Sequence, residues 1–174
     1  YYAGKGQLKS VDGMAPIEAG TSMIDTALAA FLQEGVGIHI GTRNSALQPN
    51  GARAIAVRVE PDGEHLVVYV ARAAASRILP DLESNGQVAV GFGRPIDDRA
   101  CQVKGIFTGV RDAAEDERPQ VLAQWDGFLA SLEKIGIPRA ATRTWVTWPA
   151  VAIRLRANAL FDQTPGPHAG APLT

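Results

Sequence analysis

Three places in this sequence carry groups whose type and spacing suit the binding of an anion. Arg53 stands at the head of a predicted strand, Arg53-Ala-Ile-Ala-Val-Arg-Val-Glu60. Ser76-Arg77 falls at the predicted start of a helix, where free backbone amides and the helix dipole favour a phosphate. Gln102 and Lys104 alternate on a later strand. Two guanidiniums and a hydroxyl can hold a phosphate through several charge-assisted hydrogen bonds. The same residues allow a plainer arrangement, in which Arg53 and Arg77 are solvated or paired with Asp81 and Glu83. His39 lies between Gly37 and Gly41 on one face of a predicted strand, and two glycines on a face let a ligand approach a sheet closely. A bend or bulge would use the same glycines.

Other chemistries lack their residues. His39, His65, His168 and Cys101 show no metal-ligand spacing. There is no Gly-x-Ser-x-Gly elbow for a nucleophilic serine. Neither a Gly-x-Gly-x-x-Gly turn nor a Walker phosphate loop occurs.

The elements that must position these groups can be read from periodicity. Thr21-Ser22 with Asp25 suits a helix start, and a helix is expected over about 22–34, stopped by Gly35. Val36–Thr42 alternates and predicts a strand with Val36, Ile38 and Ile40 on the core side. Residues 43–51 read as a loop. In the next strand Ile55, Val57 and Val59 form one face, and Ala54, Ala56, Arg58 and Glu60 the other. The Pro61-Asp62-Gly63 turn makes 53–60 and 66–71 a hairpin. A helix over 76–85, capped by Ser76, leads to strands at 87–93 and 100–111, the second curved at Gly105 and Gly109. Asp112–Glu115 has capping-box spacing for a helix that restarts at Pro119. It carries an apolar stripe of Val121, Leu122, Trp125, Phe128, Leu129 and Leu132, assigned to core packing. A last strand is expected over 145–161. These elements predict an α+β, mainly β protein: an antiparallel barrel of about six strands with peripheral helices.

Composition bounds the rest. The chain has 174 residues, 46% hydrophobic and 20% charged, which suits one globular domain over 21–161. Residues 1–20 are expected to form a loose arm with a short strand near Leu8–Val11, and 162–174 a Pro/Gly-rich surface tail. A net charge of −1 argues against broad binding to nucleic acid or to an anionic membrane. No apolar run is long enough to span a bilayer, and no signal peptide is recognisable after Lys5 and Lys9. A single cysteine suits a reducing compartment, so a cytoplasmic location is expected.

From residue 22 to 161 the order of these elements resembles the FMN-binding split barrels of the pyridoxamine 5′-phosphate oxidase-like family. The resemblance is carried by Arg53-Ala-Ile-Ala-Val, Tyr69-Val-Ala71, Ser76-Arg77, the segment Asn85-Gly-Gln-Val-Ala-Val90 and the Lys104-Gly105 strand. It implies an FMN-dependent oxidoreductase acting on a small molecule, as a homodimer with the cofactor at the subunit interface. Arg53, Ser76 and Arg77 would then grip the FMN phosphate. The backbone of Ala54 and Ile55, together with Tyr69, Val70 and Ala71, would line the ring, and Gln102 would reach the flavin from the partner subunit. The sequence has Ile78 where the family's clamp has a third, lysine residue. It also lacks the Arg- and His-containing C-terminal pattern that holds pyridoxal phosphate in the oxidases themselves. Two further implications stay open: a split barrel that binds haem through His39, His65 or His168 or binds a deazaflavin, and a cofactor-free interaction domain.

Overall fold

The computed structural model describes residues 22–173; the strand expected near Leu8–Val11 lies outside them. The described chain runs α1 (Thr26–Gln33), β1 (Gly37–Arg43), β2 (Pro49–Ala54), β3 (Ala56–Val59), β4 (His65–Ala71), α2 (Arg72–Ala75), α3 (Leu79–Asn85), β5 (Gln87–Gly93), β6 (Ala100–Asp112), α4 (Arg118–Lys134), α5 (Arg139–Thr142) and β7 (Ala150–Asp162).

All seven strands belong to one antiparallel sheet, in the order β2-β1-β5-β6-β7-β4-β3. Its two edge strands, β2 and β3, are separated in the chain by Ile55 alone. One extended segment therefore serves both edges, and the sheet must curl until they meet. This is an antiparallel split barrel with helices outside it. The single strand expected over 53–60 is really these two. The expected alternation breaks at the join: Val57 and Val59 pack in the barrel, whereas Ile55 and Ala56 turn outward to the helix layer. The Ile55 amide still donates to the Tyr69 carbonyl (2.7 Å), so the join stays tied to β4.

Two cores result. The barrel interior holds Ile38, Ile40, Val68, Val90, Val103, Ile153 and Leu155, all nearly or fully buried. The second core lies between β3, β4 and β7 and the α4 stripe, where Val121, Trp125, Phe128 and Leu132 are buried as their spacing predicts. β4 is buried on both faces because it separates the two cores. The outer edge of β3 has no strand beside it, and side chains satisfy it instead. Gln124 accepts from the Val57 amide (2.8 Å) and donates to the Val57 carbonyl (3.0 Å), while Gln33 accepts from the Val59 amide (2.9 Å). Such pairing blunts an edge that could otherwise recruit another strand.

Several expected boundaries move. Asp25 caps α1 through the Leu28 amide (2.8 Å), because Ser22 instead donates to the Ile24 carbonyl. Residues 49–51 belong to β2 and pair with β1, so the β1–β2 connection is much shorter than the expected loop. The helix expected over 76–85 starts later, as α3 at Leu79, and the separate α2 turn precedes it at Arg72–Ala75. Ser76 ends α2 by donating to the Ala73 carbonyl (2.8 Å), and Ile78 sits at the start of α3 with no side-chain cap. The capping box expected at Asp112–Glu115 is replaced by a longer β6 and a 3₁₀ turn at Glu115–Glu117, whose Glu117 carboxylate accepts from the Ala114 amide. β6 shifts register at Lys104/Gly105 and at Phe107/Gly109, the two expected points of curvature.

Candidate functional site

The outer face of β2, β1, β5 and β6 carries few large side chains. Antiparallel register aligns Arg53, His39, Gly91 and Gln102 in one row across the four strands. On one side lies the row Gly51, Gly41, Ala89 and Lys104, and on the other Gly37, Gly93 and Ala100. The result is a groove floored largely by backbone. A Cβ added at Gly91 or Gly93 would meet no atom within 4 Å, so the space above these glycines is open. Gly37 is different: Phe128 Cε1 would lie 3.0 Å from its Cβ, which places that ring at the groove's end wall.

Two compartments share the central row. The first, about 470 Å³, is lined by Arg77, Gly41, Gly51 and Ala89 as well as by Arg53, His39 and Gln102. The second, about 550 Å³, extends past Gly93, Cys101 and Gln163 to Phe128. Both volumes fall in the usual range for small-molecule sites. Among the described residues no carboxylate lines either compartment.

Arg53 is half-buried in β2, where it is the fifth residue and not the strand head. Among the described residues it makes no hydrogen bond or ion pair. Its guanidinium lies instead over the Trp145 ring, 4.4 Å from the centroid, and 5.7 Å from that of Phe128. Burial lowers its pKa from the ordinary arginine value. His39 is exposed and lines both compartments, with part of the ring covered. That partial burial, and secondarily the charge of Arg53, lower its pKa, so the imidazole is held neutral near pH 7. The Cys101 thiol is pushed up to about 12 by burial and is therefore not a nucleophile at neutral pH.

Arg77 is exposed, and its segment is anchored to the groove by the Asn50 side-chain amide, which donates to the Arg77 carbonyl. Of the plainer arrangement's two forms, Arg77 shows the solvated one and not the pairing with Asp81, which accepts from the buried Thr42 hydroxyl (2.7 Å) and ties α3 to β1. Ile78 is fully buried in the barrel core, so its position faces away from any clamp.

The structure thus gathers Arg53, Arg77 and Gln102 with His39. It does not bring the other expected residues into the groove. Ser76 is exposed and its hydroxyl is turned back on α2. Ala54 and Val70 point into the barrel, while Ile55, Tyr69 and Ala71 pack under α4. The Tyr69 hydroxyl donates to Glu117 and not to a ligand site. Gln102 lines the groove of its own chain. Lys104 lies over the Phe161 ring, 5.1 Å from its centroid. Of the three histidines, His65 is bonded through Nδ1 to Asp62 (2.6 Å) and His168 is exposed in the tail. Sequence reasoning missed Gly91 and Gly93, although their alternation in Gln87–Gly93 repeats that of Gly37 and Gly41. It also missed Trp145, for which no local signal exists.

No family model matches the sequence, and no curated protein matches it. Solved structures do resemble the fold. HupZ from Group A Streptococcus superposes with a TM-score of 0.51 at 16% identity, over 85% of this chain and 100% of that one. An F420 reductase gives 0.52 at 18% identity, over 75% and 93%. An FMN-binding protein from Syntrophomonas wolfei is more distant, at 0.45 and 10% identity over 92% and 94%. At such identities the likeness speaks for architecture alone, an antiparallel split barrel.

Proposed function

We propose that the groove binds a flavin-type cofactor, FMN, and that the protein is an FMN-dependent oxidoreductase acting on a small molecule. The observation that carries this is the pairing of Arg53 and Arg77, free of carboxylate partners among the described residues, with an open backbone floor. The residues fit the cofactor's two parts. Arg77 and Arg53 supply charge-assisted donors for a phosphate. Gly41, Gly91 and Gly93 leave room for a planar ring to lie against the sheet. The Gln102 amide and the neutral His39 imidazole sit on the central row as hydrogen-bonding groups for the ring or for a substrate above it. Bound flavin would supply the electron chemistry, and the protein would supply binding, orientation and local charge. Trp145, 37% exposed, stands over Arg53 at the groove, and the next residue, Val146, is 65% exposed. A homodimer that docked a second copy against these exposed apolar side chains would bury them.

The test is the visible spectrum of the purified protein before and after soaking with FMN, followed by gel filtration. A flavin band that travels with the protein, in a dimer-sized peak, is expected. A colourless protein that releases all added FMN would remove this function.

A second function has one observation in its favour. His39 is the histidine that lines the groove, and its neutral imidazole could ligate a haem iron. A sharp haem-type band that is lost in His39→Ala would favour haem over flavin.

A further inference from the structure

Among the described residues several arginines of this chain end on acids. Arg154 makes a two-pronged contact with Glu60 (2.8 and 2.9 Å), and Arg111 with Glu117 (2.6 and 2.9 Å). Arg139 bridges Asp126 and Glu133 (both 2.6 Å), and Arg94 bridges Asp97 and Glu34. Arg53 is held in another way, by aromatic faces. A ring attracts the cation but accepts no strong hydrogen bond, so the five guanidinium donors stay available to a ligand. A carboxylate in the same place would occupy two of those donors in a fork contact and neutralise the charge.

The ring that does this is itself built into place. Arg139 ties α5 to α4 through its two ion pairs. The Trp145 amide then donates to the Thr142 carbonyl (3.0 Å), and the Trp145 ring packs 5.9 Å from that of Trp125 on α4. Phe128 cannot be the adjustable partner, because it is a buried core residue that also fills the space over Gly37. Trp145 is more than a third exposed and can be trimmed without opening the core.

We propose that Trp145 is a positioning residue that holds the Arg53 guanidinium over the groove, and that it thereby makes the groove select phosphate-bearing over phosphate-free ligands. The selectivity half of this rests on the flavin assignment, while the positioning half does not.

Two measurements separate them. In the first, FMN and riboflavin, which differ by the phosphate, are titrated against wild type, Trp145→Ala and Trp145→Phe by quenching of flavin fluorescence. Trp145→Ala should lower the FMN-to-riboflavin affinity ratio roughly tenfold, the scale of one partly desolvated cation–ring contact. Riboflavin affinity should not change, and Trp145→Phe should keep most of the ratio. An equal loss for both ligands, or no loss, overturns the selectivity.

The second measurement needs no cofactor. Among the described residues the titratable groups lining the groove are His39, Arg53, Arg77 and Cys101, with Lys104 on the flanking row over the Phe161 ring. The His39 imidazole is followed by NMR across pH, with assignment from His39→Gln. Trp145→Ala should raise its pKa, because a released Arg53 no longer presses charge on it. In an Arg53→Gln background the same substitution should leave His39 unmoved. Equal shifts in both backgrounds would mean that Trp145 acts by simple covering of His39, and would overturn the positioning role. If wild type binds neither flavin, the cofactor assignment falls, and the His39 comparison still decides whether Trp145 positions Arg53.

Discussion

At the scale of single residues, the groove's chemistry comes down to two guanidiniums in different settings. Arg53 is half-buried and braced by rings, and Arg77 is exposed at the end of α2. Bracing reduces the side-chain entropy lost when a ligand arrives, so Arg53 should contribute more than Arg77. Arg53→Ala is expected to weaken FMN binding by about 2–3 kcal/mol and Arg77→Ala by about 1.5 kcal/mol, the range for hydrogen bonds to charged groups. Isothermal titration of both variants measures this. Wild-type affinity in both would remove the site. Ile78 bears on the same point. Its side chain is fully buried, so a lysine introduced there would enter the core and not the groove.

At the scale of elements, two glycines on neighbouring strands show opposite constraints. Gly91 in β5 faces open groove, has ordinary backbone geometry and would accept a side chain without contact. Gly105 sits at the β6 bulge against β7, where an added Cβ would collide with the Arg156 carbonyl and lie 2.8 Å from Leu155 Cδ1. Gly91→Val should therefore keep the melting temperature, since β-branched residues suit strands, while it lowers FMN affinity more than about tenfold by filling the floor. Gly105→Ala should cost about 1–3 kcal/mol of stability, because backbone cannot yield as a side chain can. Thermal melts paired with FMN titration check both. A destabilised Gly91→Val that still binds FMN would mean that the groove is structural.

At the scale of the whole molecule, the Glu115–Glu117 turn is latched to β4 and β6 through the Glu117 carboxylate. Hydrogen bonds from Arg111, then from Tyr69 and the Ala114 amide, hold the Glu117 carboxyl down at about 2, against an ordinary 4.5. A carboxyl depressed in the folded state favours folding above its unfolded pKa and loses that contribution as pH falls towards the folded one. Stability should therefore decline between about pH 4.5 and 2, with roughly 1–2 kcal/mol of the decline from Glu117 after allowing for solvent screening of a carboxylate that is 21% exposed. Urea midpoints from pH 6 to 2 test this. Glu117→Gln should be less stable at pH 6 and show a shallower acid decline. An unchanged slope would place the acid sensitivity elsewhere, for instance at Asp97, whose pKa Arg94 holds at about 2.

The sequence by itself determined most of the strands, the helix that carries an apolar stripe and the antiparallel-barrel class, because alternation and 3.6-residue spacing record which face is buried. Ile38 and Ile40 against His39 and Gly41, and the Val121–Leu132 stripe, were legible for that reason. So was Arg53 as a candidate, with Arg77 and Gln102. Tertiary structure decided what these residues face. Local spacing could not show that the chain crosses from one sheet edge to the other at Ile55, since that switch satisfies the register of strands remote in sequence. For the same reason it could not separate Tyr69, Val70 and Ala71, buried between two cores, from Arg53 in the groove. Nor could it bring Trp145, ninety-two positions later in the chain, over the Arg53 guanidinium. Periodicity is a property of neighbours along the chain, whereas a binding groove is a property of strands laid side by side.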